Sequence, residues 1–239
     1  MRPWLAGERS LDCLNTLAEA RDLKTESGRR VRFVPPGPKD VYYEVRVYET
    51  GRVETRPGSL HDFFNALAWL AFPRTKARIN ALHAAEIPRE REAREIPREK
   101  QPRRGPLRDL LTIFDEGGAI VHCDDAGLVS LLESFQWRRL FWDNRSAVQA
   151  GMRITVFGHA VLEKALEPWP GITCKAIVVP AAAEPDSAAV AWLERLAPGA
   201  SPRVLSPLPI FGFPGWHAGT AQAQFYDDAR YFRPSRANC

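Results

Sequence analysis

Val41-Tyr-Tyr-Glu-Val-Arg-Val-Tyr-Glu-Thr-Gly-Arg-Val-Glu-Thr55, followed by Ser59-Leu-His-Asp-Phe-Phe-Asn-Ala-Leu-Ala-Trp-Leu-Ala71, sets two hydrophobic periods side by side. In the first stretch Val41, Tyr43, Val45 and Val47 alternate with Tyr42, Glu44, Arg46 and Tyr48, the period of two expected of a half-buried strand. Glu49 to Arg52 supplies a turn and Val53 to Thr55 a return strand, so residues 41–55 are expected to form a hairpin. In the second stretch Phe63, Leu67, Leu70 and Ala71 share one face of a helix over 60–71. Ser59 stands at its N-cap, Asp62 can complete a capping box, and Pro73 ends it. A hairpin feeding a helix, without a steady βαβ rhythm, points to an α+β fold.

The same reading extends in both directions. Upstream, Leu11, Leu14, Leu17 and Ala18 predict a helix over 10–24, which Pro35-Pro36-Gly37-Pro38 separates from the expected hairpin. Downstream of Pro73 a second helix is expected over about 74–85. Residues 86–108 repeat Glu-Ile-Pro-Arg-Glu at 86 and 95 and carry eight basic against five acidic residues. Four prolines and few apolar residues predict a mobile charged loop there. Leu110 to Ile113 and Ala119 to His122 flank Asp115-Glu116-Gly117-Gly118, which reads as a second hairpin. Helices are expected over 126–135, 137–148, 159–167 and 188–196, and strands over 154–157 and 172–179. The expected organisation is an N-terminal helix and lead-in, 1–30, then one α+β domain, 31–235. In it helices pack on short, mostly antiparallel sheets around the Pro-rich loop.

The chain has 239 residues and a net charge of +4 from 33 Lys and Arg against 29 Asp and Glu. That balance permits an anionic partner without demanding one. No window approaches the ~20 apolar residues of a membrane span, so no membrane partner is expected. Cys13, Cys123, Cys174 and Cys239 are irregularly spaced, form no C-x-x-C pair and follow no secretory leader. This reads as reduced thiols in a cytoplasmic protein. No Walker loop, G-x-S-x-G or G-x-G-x-x-G is present, which removes support for nucleotide-loop ATPases, α/β-hydrolases and Rossmann dehydrogenases.

Five ordered segments carry a resemblance. They are His61 through His83, Leu110-Leu-Thr-Ile-Phe-Asp-Glu-Gly-Gly118, Phe157-Gly-His-Ala-Val-Leu-Glu-Lys164, Pro207-Leu-Pro-Ile-Phe-Gly-Phe-Pro-Gly-Trp216 and Phe225-Tyr-Asp-Asp228. Together they resemble the bacterial domain-of-unknown-function family numbered 3025, over roughly residues 30–235. The resemblance implies a soluble bacterial domain and assigns no activity.

Within these segments several polar groups invite a functional reading. His159 and Glu163 stand four apart on an expected helix and so share a face, where they can serve proton transfer or hold a divalent metal. His61, with Asp62 and Asn65, opens the helix after the expected hairpin, a layout shared with ββα-metal nucleases, although capping explains those residues as well. Arg74, Lys76 and Asn80 begin the next helix, where free N–H groups and basic side chains attract anions. Asp115 and Glu116 form a paired carboxylate beside two glycines. The expectation is an anion-accepting cleft with His159, Glu163 and His61 as catalytic groups. Arg74, Lys76, Asn65 and Asn80 bind the anion in this reading, and Asp115, Glu116 and Glu163 ligate one divalent metal. The corresponding reaction is metal-assisted, nuclease-like hydrolysis of a phosphate-containing small molecule or nucleic acid. The alternative is a non-enzymatic module whose basic loop engages nucleic acid or an acidic protein.

Overall fold

Residues 8–37, 42–92 and 104–234 are described by a computed structural model, and the fold is α+β. Helix α1 (Glu8–Ala20) buries Leu11, Leu14 and Ala18. Strand β1 (Arg32–Val34) follows, then helix α2 (Tyr43–Thr50) and strand β2 (Arg52–Glu54), which pairs with β1 in parallel. Helix α3 (Leu60–Ala71) lies where its period and Ser59 place it. These elements enclose one apolar cluster, with Phe33, Val53 and Ala66 almost wholly buried.

The hairpin expected over 41–55 is therefore absent, and the ββα-metal layout goes with it. Of α2, only Val47 is buried, so this segment has no strand-like buried face. Gly51 ends the helix in the left-handed region at φ 72°, with its N–H bonded to the Val47 carbonyl. A Cβ at Gly51 would lie 2.1 Å from the Arg30 carbonyl oxygen, so glycine is what lets β2 run against β1.

Helix α4 runs from Pro73 to Glu92, well past its expected end, with Pro88 inside it. Tertiary anchors hold this extension: Ile87 is 3% exposed, and the Glu90 carboxylate accepts from the Gly105 N–H at 2.9 Å and Arg108 Nη1 at 3.2 Å. Residues 86–92 and 104–108 are thus docked and not a mobile excursion. The remaining part of the expected loop, 93–103, lies outside the described residues.

Helix α5 (Pro106–Gly117) runs straight into strand β3 (Gly118–His122), replacing the second expected hairpin. Leu110, Leu111 and Phe114 all face the core with no exposure. After α6 (Ala126–Glu133), a π-turn over 139–143 and α7 (Arg145–Gly151), strand β4 (Arg153–Val156) pairs antiparallel with β3. Helix α8 (His159–Lys164) then leads to β5 (Thr173–Val179), α9 (Pro185–Glu194) and β6 (Ser206–Pro209). The sheet order is β4-β3-β5-β6, with β3 and β5 parallel and both edge strands antiparallel.

Both faces of this sheet are covered, so every residue of β3 is buried. Ala119 and Val121 face one cluster, whereas Ile120 faces a second formed with α5 and α9. The Pro-aromatic C-terminal segment completes the first cluster. Tyr231 donates its hydroxyl proton to the Ile172 carbonyl at 2.9 Å, and Tyr226 donates to the Gly212 carbonyl at 3.0 Å. Cys13, Cys123 and Cys174 are free thiols. Among the described residues no helix is long and apolar enough to cross a membrane.

Candidate functional site

Helix spacing builds the site. On α3, His61, Asn65 and Trp69 recur every four residues, and on α4 Lys76, Asn80 and His83 follow at i, i+4 and i+7. Thr112, Asp115 and Glu116 follow at i, i+3 and i+4 on α5. These faces surround a cleft of about 450 Å³ that α8 closes with His159.

Two local devices fix the geometry. At the start of α3 the Ser59 hydroxyl accepts the Asp62 N–H at 3.2 Å. The Asp62 carboxylate does not return to Ser59. It accepts instead from the Arg56 backbone N–H at 2.7 Å and from Nε and Nη2 of the same residue, both at 2.8 Å. Burial pushes the Asp62 carboxyl up, but the Arg56 hydrogen bonds and charge outweigh it and hold the group below the usual carboxylate range. The second device is Gly158. A Cβ there would meet the Glu116 carbonyl oxygen and the Gly118 nitrogen at 2.5 Å each. Glycine thus lets the β4–α8 turn lie against the α5–β3 junction, which seats His159 on the last turn of α5.

His159 Nδ1 lies 2.9 Å from the Asp115 carbonyl oxygen, and its Nε2 lies 3.2 Å from Nε2 of His61. His61 Nδ1 in turn lies 3.1 Å from Glu163 Oε2. Three helices, α5, α8 and α3, supply this chain of groups. A carbonyl oxygen only accepts, so His159 Nδ1 carries its proton and Nε2 presents a lone pair. His61 Nε2 must then donate to it. Its Nδ1 faces a carboxylate, and the contact is a hydrogen bond only when one further proton is shared between His61 and Glu163. The fully bonded chain therefore holds one proton more than a neutral His61 beside an ionised Glu163.

Burial lowers the His159 pKa to about 4; the Asp115 charge opposes this, while Lys76 and His61 add to it. His159 is 4% exposed and neutral at pH 7. The side chains of His61 and Glu163 are 38% and 36% exposed, so this end of the chain of groups meets solvent.

Lys76 forms the other half of the site. Its ammonium donates to Asp115 Oδ1 at 2.6 Å, Asp115 Oδ2 at 2.8 Å and Asn65 Oδ1 at 2.7 Å. Burial would raise the Asp115 carboxyl, but Lys76 and then His159 hold it below the ordinary value.

Of the residues singled out from sequence, the structure brings together His61, Glu163, His159, Asp115, Lys76 and Asn65. Their roles change, however. All three Lys76 protons are engaged inside the protein, leaving none for an anion. Asn65 Oδ1 is spent on Lys76. Glu163 bonds His61 and not its helix neighbour His159. Asp115 and Glu116 lie on a helix, not a turn. With both Asp115 oxygens on Lys76, a metal there would have to displace the ammonium. Among the described residues no three His, Cys, Asp or Glu side chains converge as a metal-holding group.

Arg74 is not in the cleft: its guanidinium donates to Ser187 Oγ at 2.9 Å. The start of α4 does attract an anion, but that anion is internal. Asp186, from α9, accepts the Arg74 N–H at 3.0 Å, the Thr75 N–H at 2.8 Å and the Thr75 hydroxyl at 2.7 Å. Asn80 does line the cleft, with its Nδ2 donating to the Glu44 carbonyl at 2.8 Å. Sequence reasoning missed His83, Glu44 and Arg56. For His83 the signal was present as the third member of the Lys76–Asn80–His83 stripe; Glu44 was hidden by the strand reading of 41–55.

A family model described as "Protein of unknown function (DUF3025)" matches residues 31–236, and the chain belongs to that family. No curated protein and no solved structure matches it.

Proposed function

We propose that this member of a family without an assigned activity is a hydrolase whose cleft works by general acid–base catalysis at His61. The observation that carries the reading is the chain Asp115 carbonyl–His159–His61–Glu163 at the mouth of the cleft. His159 and Glu163 orient the His61 ring from opposite sides. Of the two imidazoles in the chain, His61 is the one that reaches solvent. Substrate binding at Nε2 or Nδ1 would replace one of the internal partners, so that His61 takes a proton from water or gives one to a leaving group. Such a group contributes about 10²–10⁴-fold to a rate.

The cleft supports imidazole chemistry better than metal assistance, because Lys76 already occupies the Asp115 carboxylate. It also supports a phosphate-containing substrate less than the sequence suggested. Arg56, Lys76 and Arg104 are outnumbered by the carboxylates that line the same space. The binding-module alternative rests on the basic loop 86–108, of which 93–103 lies outside the described residues.

The test is a panel of chromogenic esters, amides and phosphodiesters, assayed with the unmodified chain, with His61→Gln and with Glu163→Gln. A hydrolysis that falls about 100-fold or more in His61→Gln, and less in Glu163→Gln, supports the assignment. Any hydrolysis by the pure protein that His61→Gln leaves intact removes His61 from the chemistry.

A further inference from the structure

The same cleft contains two polar atoms that the protein leaves without partners. Asn80 Oδ1 and His83 Nδ1 are both fully shielded and have no hydrogen bond. Asn80 is 7% exposed and His83 5% exposed, and both side chains line the cleft from one face of α4. Buried polar atoms are nearly always paired, so two orphans on one wall ask for a group to complete them. The Asn80 side chain is not free to turn away. Asn80 Nδ2 is held by the Glu44 carbonyl, which fixes the amide so that Oδ1 is the end left over. Among the described residues the two other buried orphans, Arg78 Nε and Arg108 Nε, do not line this space.

We infer that this wall is a binding subsite for a neutral amide-type group, such as a carboxamide or ureide, held by Asn80 and His83. Asn80 Oδ1 only accepts, so the ligand must bring an N–H donor. The neutral imidazole of His83 offers either a donor or an acceptor at Nδ1, according to its tautomer, and takes the ligand's second polar atom. The ion pairs around the wall are already closed. On one side Lys76 is closed on Asp115, and on the other Arg108 lies 3.6 Å from Glu44 and 3.2 Å from Glu90. The remaining cation of this wall, Arg104, donates to Thr112 Oγ1 at 3.1 Å, and a neutral amide bonded to Asn80 and His83 leaves all of these contacts in place. Burial pulls the His83 pKa down to about 4; Glu44 opposes this and Arg108 adds to it, which keeps the ring neutral at pH 7. Calling this group part of a substrate rests on the hydrolase reading above; the subsite itself does not.

The experiment is a ¹⁵N NMR titration of the full chain with acetamide and with N-methylurea, set beside methylammonium and acetate. Saturable shifts of the Asn80 side-chain NH₂ and the His83 ring nitrogens with the two amides, and at least tenfold weaker binding of both ions, are expected. Asn80→Leu should weaken amide binding at least tenfold, and His61→Gln should leave it unchanged. The titration of the unmodified chain decides the matter even if Asn80→Leu fails to fold. Ions binding as well as amides, amides shifting neither residue, or an ordered water alone at the two atoms would overturn the subsite. Retained hydrolysis in His61→Gln with intact amide binding would refute the catalytic reading alone. Loss of hydrolysis in that variant, with no amide binding, would refute the subsite alone.

Discussion

Replacing Lys76 by methionine tests the central electrostatic claim. Met keeps most of the apolar stem, including its place near the Trp69 ring, and removes only the ammonium. The Lys76 side chain is 5% exposed and its ammonium makes three hydrogen bonds, two of them to Asp115, whose side chain is 20% exposed. Removing one partner of a buried ion pair costs about 3–5 kcal/mol, because the other charge stays buried and uncompensated. The residual water contact of Asp115 places the expected loss at the lower end, about 3 kcal/mol. For a chain of this length each kcal/mol moves Tm by about 2–4 °C, so Tm should fall by about 6–12 °C. Lys76→Met combined with Asp115→Asn removes both charges, and should be more stable than the sum of the single losses by about 2 kcal/mol. Urea unfolding of the four proteins at pH 7 measures the cycle. A loss below about 1 kcal/mol for Lys76→Met, or an additive cycle, would refute the claim that this pair is buried and mutually dependent.

Acid should destabilise the fold between pH 6.5 and 4. His83 and His159 both have pKa values lowered from 6.5 to about 4 in the folded chain, so in that window the unfolded state binds more protons and stability rises with pH. With two such groups the slope reaches at most about 2.7 kcal/mol per pH unit; a flat stability profile between pH 4 and 6.5 would mean that the two rings are solvated. Gly158→Ala must push α8 off the α5–β3 junction, at a cost of about 1–3 kcal/mol, and ring ¹⁵N shifts should show His159 losing its fixed Nδ1–H form. Asp186→Ala removes the carboxylate that caps α4 from α9 and should cost about 1–2 kcal/mol in thermal unfolding, with no change in the His61 and His159 ring signals.

Local sequence was sufficient wherever one side chain or one period settles the structure. Ser59, Pro73 and the apolar stripe between them determine α3, and the β-branched run before Val179 determines β5. The four-residue spacing of His159 and Glu163 put both on one helix face, and the family resemblance held over nearly the whole chain. Helix α5 was also legible, since Leu107, Leu110, Leu111 and Phe114 follow Pro106 at i, i+3, i+4 and i+7. Starting the reading at Leu110 hid that period behind the two glycines, which mark a close helix–strand junction and not a turn. The segment 43–50 could not be read locally. Its alternation suits a strand, but β2 pairs with β1 from the far side of that segment, and α2 packs on α4 through Val47 and the Asn80–Glu44 bond.

Only tertiary structure decided which partners the charged groups took. Lys76 and the start of α4 were read as anion-binding from their residue types, and in the fold Asp115 and Asp186, 39 and 111 or more residues away, take those positions. A charge buried on folding must find its counter-charge wherever the chain brings one near. The residue types therefore revealed that the demand existed, and the packing of α4 against α5 and α9 determined what met it.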